Sequence, residues 1–422
     1  MRFNTLQQWL TWQESLNPKE IDLGLQRVEQ VLQRLGLAAV FACPVITVAG
    51  TNGKGSSVAM LEALLRAHGY RVGCYTSPHV LTYNERVRID GEPVSDGRLC
   101  AAFEDVDQAR AEVALTYFEF GTLAALQIFA KQSLDVVVLE VGLGGRLDAV
   151  NVIDADVALI STVDIDHTDW LGNDIESIAA EKAGIMRRGR PVIYAGADCP
   201  QAIRARAQQL KAPLFCAGDD YIFSVQADGR WQLKMQDWQL DALSRPALPG
   251  SFQVQNAAGV LMALHCLPGF KMQNLAIERG LQTVQLPGRY QRLQTDPAVI
   301  LDVAHNPQAA HAIAELLQQT ASGGRTLAVI AMLKDKAVAE VIDILAPQID
   351  AWFSAGLGGS RGLDADSMAK IVQGRVADVK LCSQSTVAEA CRAALAQAQA
   401  QDRVIVLGSF LTVSEAWQTF NG

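Results

Sequence analysis

A chain of 422 residues, half of them hydrophobic and 19% charged, is too long for one ordinary core and too apolar to stay unfolded, so two or three domains are expected. The formal charge of −9 and a pI near 5.3 argue against a general binder of nucleic acid or anionic membrane, which needs a basic face. Eight cysteines without a C-x-x-C pair or metal-finger spacing read as scattered thiols of a reducing compartment, and the first residues lack an apolar signal core; a cytoplasmic location is the expectation.

Short β-branched runs alternate with helical patterns almost throughout, as in parallel sheets covered by helices on both faces. Strands are expected at 45–48, 71–75, 135–141, 157–163 and 191–194, with helices over 57–68, 118–131 and 175–186. Residues 220–240 read instead as a small antiparallel hairpin turning at Asp228-Gly229. Helices at 251–265 and 274–284 lead to a Pro287-Gly288 turn, where the chain is expected to divide into domains 1–286 and 287–422. Beyond it the alternation restarts, with strands at 299–303, 326–332, 351–354, 379–382 and 403–407. The fold class expected is α/β: a P-loop mononucleotide-binding parallel sheet with an antiparallel annex, then a smaller Rossmann-like domain.

The clearest chemistry lies where the first strand breaks into Gly50-Thr51-Asn52-Gly53-Lys54-Gly55-Ser56 and a helix begins. That order sets backbone N–H groups and a helix N-terminus around a pocket of phosphate size. Lys54 adds a point charge, worth roughly 4 kcal/mol against one phosphate charge at ~4 Å and an effective dielectric of about 20. Glycines let the backbone close on phosphates without a Cβ in the way. The general pattern G-x-x-x-x-G-K-[ST] is met imperfectly, because Val48 stands for its first glycine and Gly55 separates Lys54 from the Ser56 hydroxyl. ATP is the expected ligand; the alternative is a glycine turn that only ends a strand.

Three further groups follow expected strands, where open parallel sheets place ligands. They are Thr76-Ser77-Pro78-His79, the stretch from Glu140 to Asp148, and Asp164-Ile165-Asp166-His167. A carboxylate in a valine-rich strand needs a partner, and Mg²⁺ beside ATP phosphates is one candidate for Glu140; a salt bridge is the other. Ser77 suits the same ion, whereas His167 is an unusual Mg²⁺ ligand and reads equally as a loop hydrogen bonder. Lys182 reads as a routine exposed helix lysine. In the second domain Asp302 suits a ribose hydroxyl and His305 a place near phosphates, although a histidine opening a loop is more often structural. Gly408-Ser409-Phe410 forms another turn from strand to helix.

Together these motifs resemble the folate-adding branch of the Mur ligase superfamily, in order and over nearly the full length. The segment Gly50–Ser56 is that branch's form of the nucleotide loop. The resemblance implies Ser77, Glu140 and His167 as Mg²⁺ ligands. It reverses the reading of Lys182, implying a lysine carbamylated by CO₂ that binds a second Mg²⁺. It places Asn256, Arg289, Asp302 and His305 on ATP, with Lys54, Lys182 and His305 in the catalytic machinery. Asp22-Leu23-Gly24-Leu25 resembles a loop that binds dihydropteroate. Thr116-Tyr117-Phe118-Glu119 resembles a second pterin-contacting segment, joined by Leu147 and Asp148. An aromatic ring near a carboxylate suits a flat ring with an amino-pyrimidine edge.

The activity so implied is an ADP-forming carboxylate–amine ligase. ATP phosphorylates the benzoate carboxylate of dihydropteroate, and the amine of L-glutamate displaces the phosphate to give dihydrofolate. Further glutamates are then added to reduced folates. The alternative is a monofunctional folylpolyglutamate synthase, against which the Asp22 loop argues. A monomer without nucleic-acid or membrane partners is expected.

Overall fold

The computed structural model describes residues 2–17, 19, 21–320, 323–378 and 380–421. The chain forms two compact units, Met1–Ala247 with Gln253–Val284, and Leu248–Phe252 with Gln285–Gly422.

The first unit is built on eight strands: β1 (Val45–Ala49), β2 (Val72–Tyr75), β3 (Val87–Ile89), β4 (Glu92–Pro93), β5 (Val136–Glu140), β6 (Val157–Ile160), β7 (Val192–Tyr194) and β8 (Leu214–Cys216). Their order is β4-β3-β2-β5-β1-β6-β7-β8. β1 and β5 are wholly buried, which is why they read as continuous apolar runs rather than alternating ones. β1 lies parallel between β5 and β6, with Val48 opposite both Glu140 and Leu159. The segments leaving β1, β2, β5 and β6 therefore emerge along one edge of the sheet, at the point where the strand order reverses. β3 and β4, unexpected from sequence, form a short antiparallel edge. At three and two residues their pattern is too brief to read as strand.

Helices α1 (Leu6–Glu14), α2 (Gln26–Arg34), α3 (Lys54–Ala67), α4 (Asp96–Arg110) and α5 (Tyr117–Ala130) belong to this unit. α3 starts three residues earlier than its apolar pattern suggests, because Gly53 adopts a left-handed φ of 85° and lets the helix begin at Lys54. α5 opens on a reciprocal cap in which Thr116 and Glu119 satisfy each other's backbone. Trp9 of α1 is fully buried and meets Phe103 and Phe120, so Phe120 is a core residue. The unit continues through α6 (Thr168–Leu171), α7 (Ile175–Lys182) and α8 (Gln201–Leu210). The annex then has three antiparallel strands rather than two: β9 (Ile222–Val225), β10 (Trp231–Met235) and β11 (Trp238–Leu243). α9 (Phe252–His265) and α10 (Asn274–Thr283) follow, and Gly280 lets α10 lie against Leu64 of α3.

The second unit holds β12 (Gln291–Thr295), β13 (Ala298–Leu301), β14 (Thr326–Ile330), β15 (Ala351–Ala355), β16 (Leu381–Gln384) and β17 (Arg403–Leu407), in the order β12-β13-β17-β14-β15-β16. All neighbours are parallel except the β12–β13 hairpin, an addition to the expected doubly wound sheet. Of the strand expected at 379–382, Val379 lies outside the described residues. Helices α11 (Pro307–Gln319), α12 (Val338–Leu345), α13 (Ala365–Arg375), α14 (Val387–Gln397) and α15 (Phe410–Asn421) complete the unit. Among the described residues no helix is long and apolar enough to cross a membrane.

One close approach holds the site's edge together. A Cβ on Gly184 would stand 2.3 Å from the Cα of Arg146, and one on Gly145 would stand 2.8 Å from the carbonyl oxygen of Glu181. Backbone cannot yield as a flexible side chain does. Gly184→Ala is therefore expected to destabilise the protein by at least about 1–3 kcal/mol, read as a lower urea midpoint. Gly24→Ala, with nothing within 4 Å of the added methyl, should leave that midpoint unchanged.

Candidate active site

The loop after β1 is pinned from below by the end of β6. Thr51 N–H donates to the Thr162 carbonyl at 2.8 Å, the Ser161 hydroxyl donates to the Asn52 carbonyl at 2.6 Å, and the Thr51 hydroxyl donates to the Asp164 carbonyl at 3.0 Å. Two glycines are required by contact. A Cβ on Gly50 would fall 1.9 Å from the Ser161 hydroxyl, and one on Gly53 2.6 Å from the Asn256 side-chain oxygen. Lys54 folds over its own loop, its Nζ donating to the carbonyls of Gly50 and Thr51 at 2.9 and 3.1 Å. α3 begins at Lys54 with Gly55 and Ser56 in its first turn, so its first N–H groups face the loop mouth. From α9, buried Asn256 donates to Gln253, which in turn donates to the Ser56 hydroxyl.

Ser77, two residues past the end of β2, meets Glu140, the last residue of the neighbouring strand β5. The Ser77 N–H meets a Glu140 carboxylate oxygen at 3.4 Å, and Glu140 is only 4% exposed. His167 takes a left-handed φ of 53°, with its N–H on Asp166 and its ring half-exposed. Among the described residues no three His, Cys, Asp or Glu side chains converge to hold a metal by themselves. A set of one hydroxyl, one carboxylate and one imidazole fits a divalent ion whose remaining ligands are phosphate and water oxygens.

Lys182 is not the exposed lysine that its helical pattern indicates. It closes α7 with 3% of its surface accessible, and burial, aided by the Lys54 charge, lowers its amine to about 7 despite the opposing pull of Asp166. Asp148 shows the converse. Burial pushes its carboxyl up to about 7, although it accepts the N–H groups of Leu143 and Val150 and feels the Lys54 charge. Both residues depend on desolvation by distant segments, which no local pattern records.

The Asp22–Leu25 loop and the start of α5 are joined by Arg27. Its guanidinium binds Asp22 at 3.0 Å and the buried Glu119 at 2.9 Å. Glu119 also receives the Thr116 N–H at 2.7 Å, so its carboxylate holds the loop to the helix rather than standing open to a ring edge. Leu23, Gly24, Leu25, Tyr117 and Leu147 are partly exposed. Phe118 lies over Gly142, whose missing Cβ would stand 2.6 Å from the ring, which joins this segment to the Glu140–Asp148 loop. Sequence reasoning missed Arg27, which lies two residues beyond the Asp22–Leu25 loop.

Arg86, unmarked by sequence, is buried against the ring faces of Tyr83 and Tyr117, and its Nε donates to His79 Nδ1 at 2.9 Å. Burial, and after it the Arg86 charge, lowers His79 to about 4.

The second unit gathers the remaining expected residues. Both Asp302 oxygens accept backbone N–H groups, from Tyr290 and Ala304, each at 2.7 Å, so the carboxylate holds the 287–290 turn against β13. Burial raises its pKa, opposed chiefly by the Arg289 charge. Arg289 lies 5.3 Å from the Phe410 ring centre, and His305 stands on the same ring at 6.4 Å. The His305 Nδ1 meets the Val303 carbonyl at 2.8 Å, which leaves Nε2 the acceptor in the neutral ring.

This geometry has known counterparts. The Mur ligase middle domain pattern matches residues 48–264, and that of the Mur ligase glutamate ligase domain matches 288–410. The chain is 43% identical to the dihydrofolate synthase/folylpolyglutamate synthase of Escherichia coli K12, over 99% of this chain and 96% of that one. It is 35% identical to the Mycobacterium tuberculosis protein of that name, over 83% and 77% of the two chains. The structure of E. coli FolC in complex with DHPP and ADP superposes with a TM-score of 0.93 at 43% identity, covering 99% of this chain and 98% of that one. A bifunctional folylpolyglutamate synthase/dihydrofolate synthase with Mn, AMPPNP and L-glutamate bound gives 0.91 at 43% identity, covering 99% and 98%. Organised around a Mur-type nucleotide loop and alike from end to end, this chain belongs to the dihydrofolate synthase/folylpolyglutamate synthase family of Mur ligases.

Proposed function

We propose that this chain joins L-glutamate to dihydropteroate at the expense of ATP, releasing ADP, phosphate and dihydrofolate, and adds further glutamates to reduced folates through the same acyl-phosphate chemistry. One observation supports it above others. The Lys54 loop, the Ser77–Glu140 pair and the buried Lys182 amine stand along one sheet edge, where a polyphosphate and a carboxylate must meet for the carboxylate to be activated. The liganded relatives support ATP and a divalent cation as cofactors.

In this reading Gly50–Ser56 and Asn256 cradle the phosphates, with Arg289, Asp302 and His305 completing ATP binding. The Asp22–Leu25 loop, Thr116–Glu119, Leu147 and Asp148 position the pterin acid. Ser77, Glu140 and His167 would hold Mg²⁺, which neutralises phosphate charge when bound. Lys54 meets charge that develops as the γ-phosphoryl group leaves ADP. The carboxylate oxygen attacks phosphorus, and the amine nitrogen then attacks the acyl carbon, expelling phosphate and losing a proton. Holding amine and acyl phosphate together contributes about 7–11 kcal/mol.

Carbamylation of Lys182 is part of the proposal, with a second Mg²⁺ on the new carboxylate. Its neutral amine forms an N–C bond to CO₂ and releases one proton, and a value near 7 makes that neutral form abundant at physiological pH. The net charge of −9 supports small anionic substrates held by local cationic pockets rather than nucleic acid, and the reaction calls for only one copy of the chain.

Purified protein given ATP, Mg²⁺, bicarbonate, dihydropteroate and L-glutamate should form ADP and dihydrofolate one for one. ATP turnover indifferent to any pterin would sink the reading. Asp22→Ala should depress the dihydropteroate reaction at least 10-fold more than glutamate extension of a reduced folate. Lys182→Met should abolish ligase activity yet stabilise the protein at pH 7 in CO₂-free buffer, since it removes a buried amine. The folded-state value lies below that of a free lysine, so between about pH 7 and 10 the unfolded chain binds more protons. Wild-type stability should rise with pH across that window relative to Lys182→Met, measured by urea denaturation.

A further inference from the structure

We propose that the Arg86 guanidinium is a binding point for a glutamate carboxylate that is not itself activated, either on the incoming amino acid or on the glutamyl tail of a folate acceptor. The inference rests on the ligase reading above and assigns a residue to the amino-acid side of the reaction.

Arg86 ends a short 3₁₀ turn, Tyr83–Arg86, and is 8% exposed. Its carbonyl accepts the Thr76 N–H at 2.9 Å, which ties it to the loop bearing Ser77. The guanidinium carbon lies 5.1 Å from the Tyr83 ring centre and 5.5 Å from that of Tyr117. Its Nε donates to His79 Nδ1 at 2.9 Å, an uncharged acceptor. Other shielded arginines of the unit have carboxylates: Arg88 meets Glu62 at 2.8 Å, and Arg27 meets Glu119. Arg86 meets none among the described residues. The adjacent Glu85 is turned away, its oxygens accepting the N–H groups of Val80, Leu81 and Thr82 at 2.7–2.8 Å. Nη1 and Nη2 likewise find no acceptor among the described residues.

A cation withdrawn from water without a counter-ion is a liability, and ring faces offset only part of it. A planar fork with two unmatched nitrogens is the complement of a carboxylate. Its place selects among anions. Arg86 sits at the β2 end of the site, and β5 lies between β2 and β1, so about 10 Å of sheet separates it from the phosphate loop. Tyr117 places it instead beside the segment assigned to the pterin acid.

The test is steady-state kinetics of Arg86→Gln and Arg86→Lys, each checked by thermal melting. Arg86→Lys keeps charge and ring contacts but loses the fork, so it serves if Arg86→Gln does not fold. The expected result is a KM for the carboxylate-bearing substrate raised at least 10-fold, with kcat reduced less than 3-fold and the KM for ATP unchanged. With dihydropteroate as acceptor, whose one carboxylate reacts, a rise in the L-glutamate KM marks the incoming amino acid. A rise confined to a glutamate-bearing folate marks the tail. Folded variants with both KM values unchanged, or with only the ATP KM raised, would overturn the assignment. Wild-type turnover in the same assay tests the ligase reading separately.

Discussion

Lys54 and Lys182 bring two amines to the same edge of one parallel sheet, and the surrounding groups are arranged around the positive charge they place there. Lys54 is held by carbonyls of its own loop, while Lys182 is left so dry that its amine approaches neutrality. Asp148 and Asp166 answer from two other strand ends, each felt by one of the lysines. A buried cation is tolerable only if it is paired, neutralised or awaiting an anion. All three solutions occur in this unit, in Arg88 with Glu62, in Lys182 and in Arg86.

Glycines make such density possible. Gly50, Gly53, Gly142, Gly145 and Gly184 each stand where a methyl group would collide, with a serine hydroxyl, an asparagine, a phenyl ring or backbone. They bring the segments after β1, β5 and α7 closer than side chains allow. Polar groups in that small volume exclude one another's water and so perturb one another's protonation. Function at this edge is in tension with stability, because the same buried charges that suit phosphoryl transfer are costly to the empty protein.

Structural and chemical duties are divided among residues of one type. Glu119 and Asp302 look alike in sequence, as acids beside aromatic or histidine-bearing loops. Yet Glu119 is engaged by a helix cap and Arg27, and Asp302 by two backbone N–H groups. Glu119 thereby fastens the partly exposed Asp22–Leu25 loop, and Asp302 the 287–290 turn. Glu140, opposite Val48 just before the nucleotide loop, accepts the Ser77 N–H at 3.4 Å from the segment that follows β2.

What could be read from the chain alone was local. Periodicity located the long strands and helices, and backbone demands marked the glycine loop, because φ preferences and side-chain alternation are properties of neighbours in sequence. Short elements escaped, among them β3, β4 and β12, since strands of two to five residues carry too little pattern. Burial of ionisable groups escaped as well. Nothing within α7 distinguishes Lys182 from a surface lysine, and nothing near Arg86 tells that Tyr117, from another helix, will cover it. Those outcomes were decided only when the sheet brought distant segments to one edge, because desolvation depends on every atom that displaces water, not on the residues adjoining in the chain.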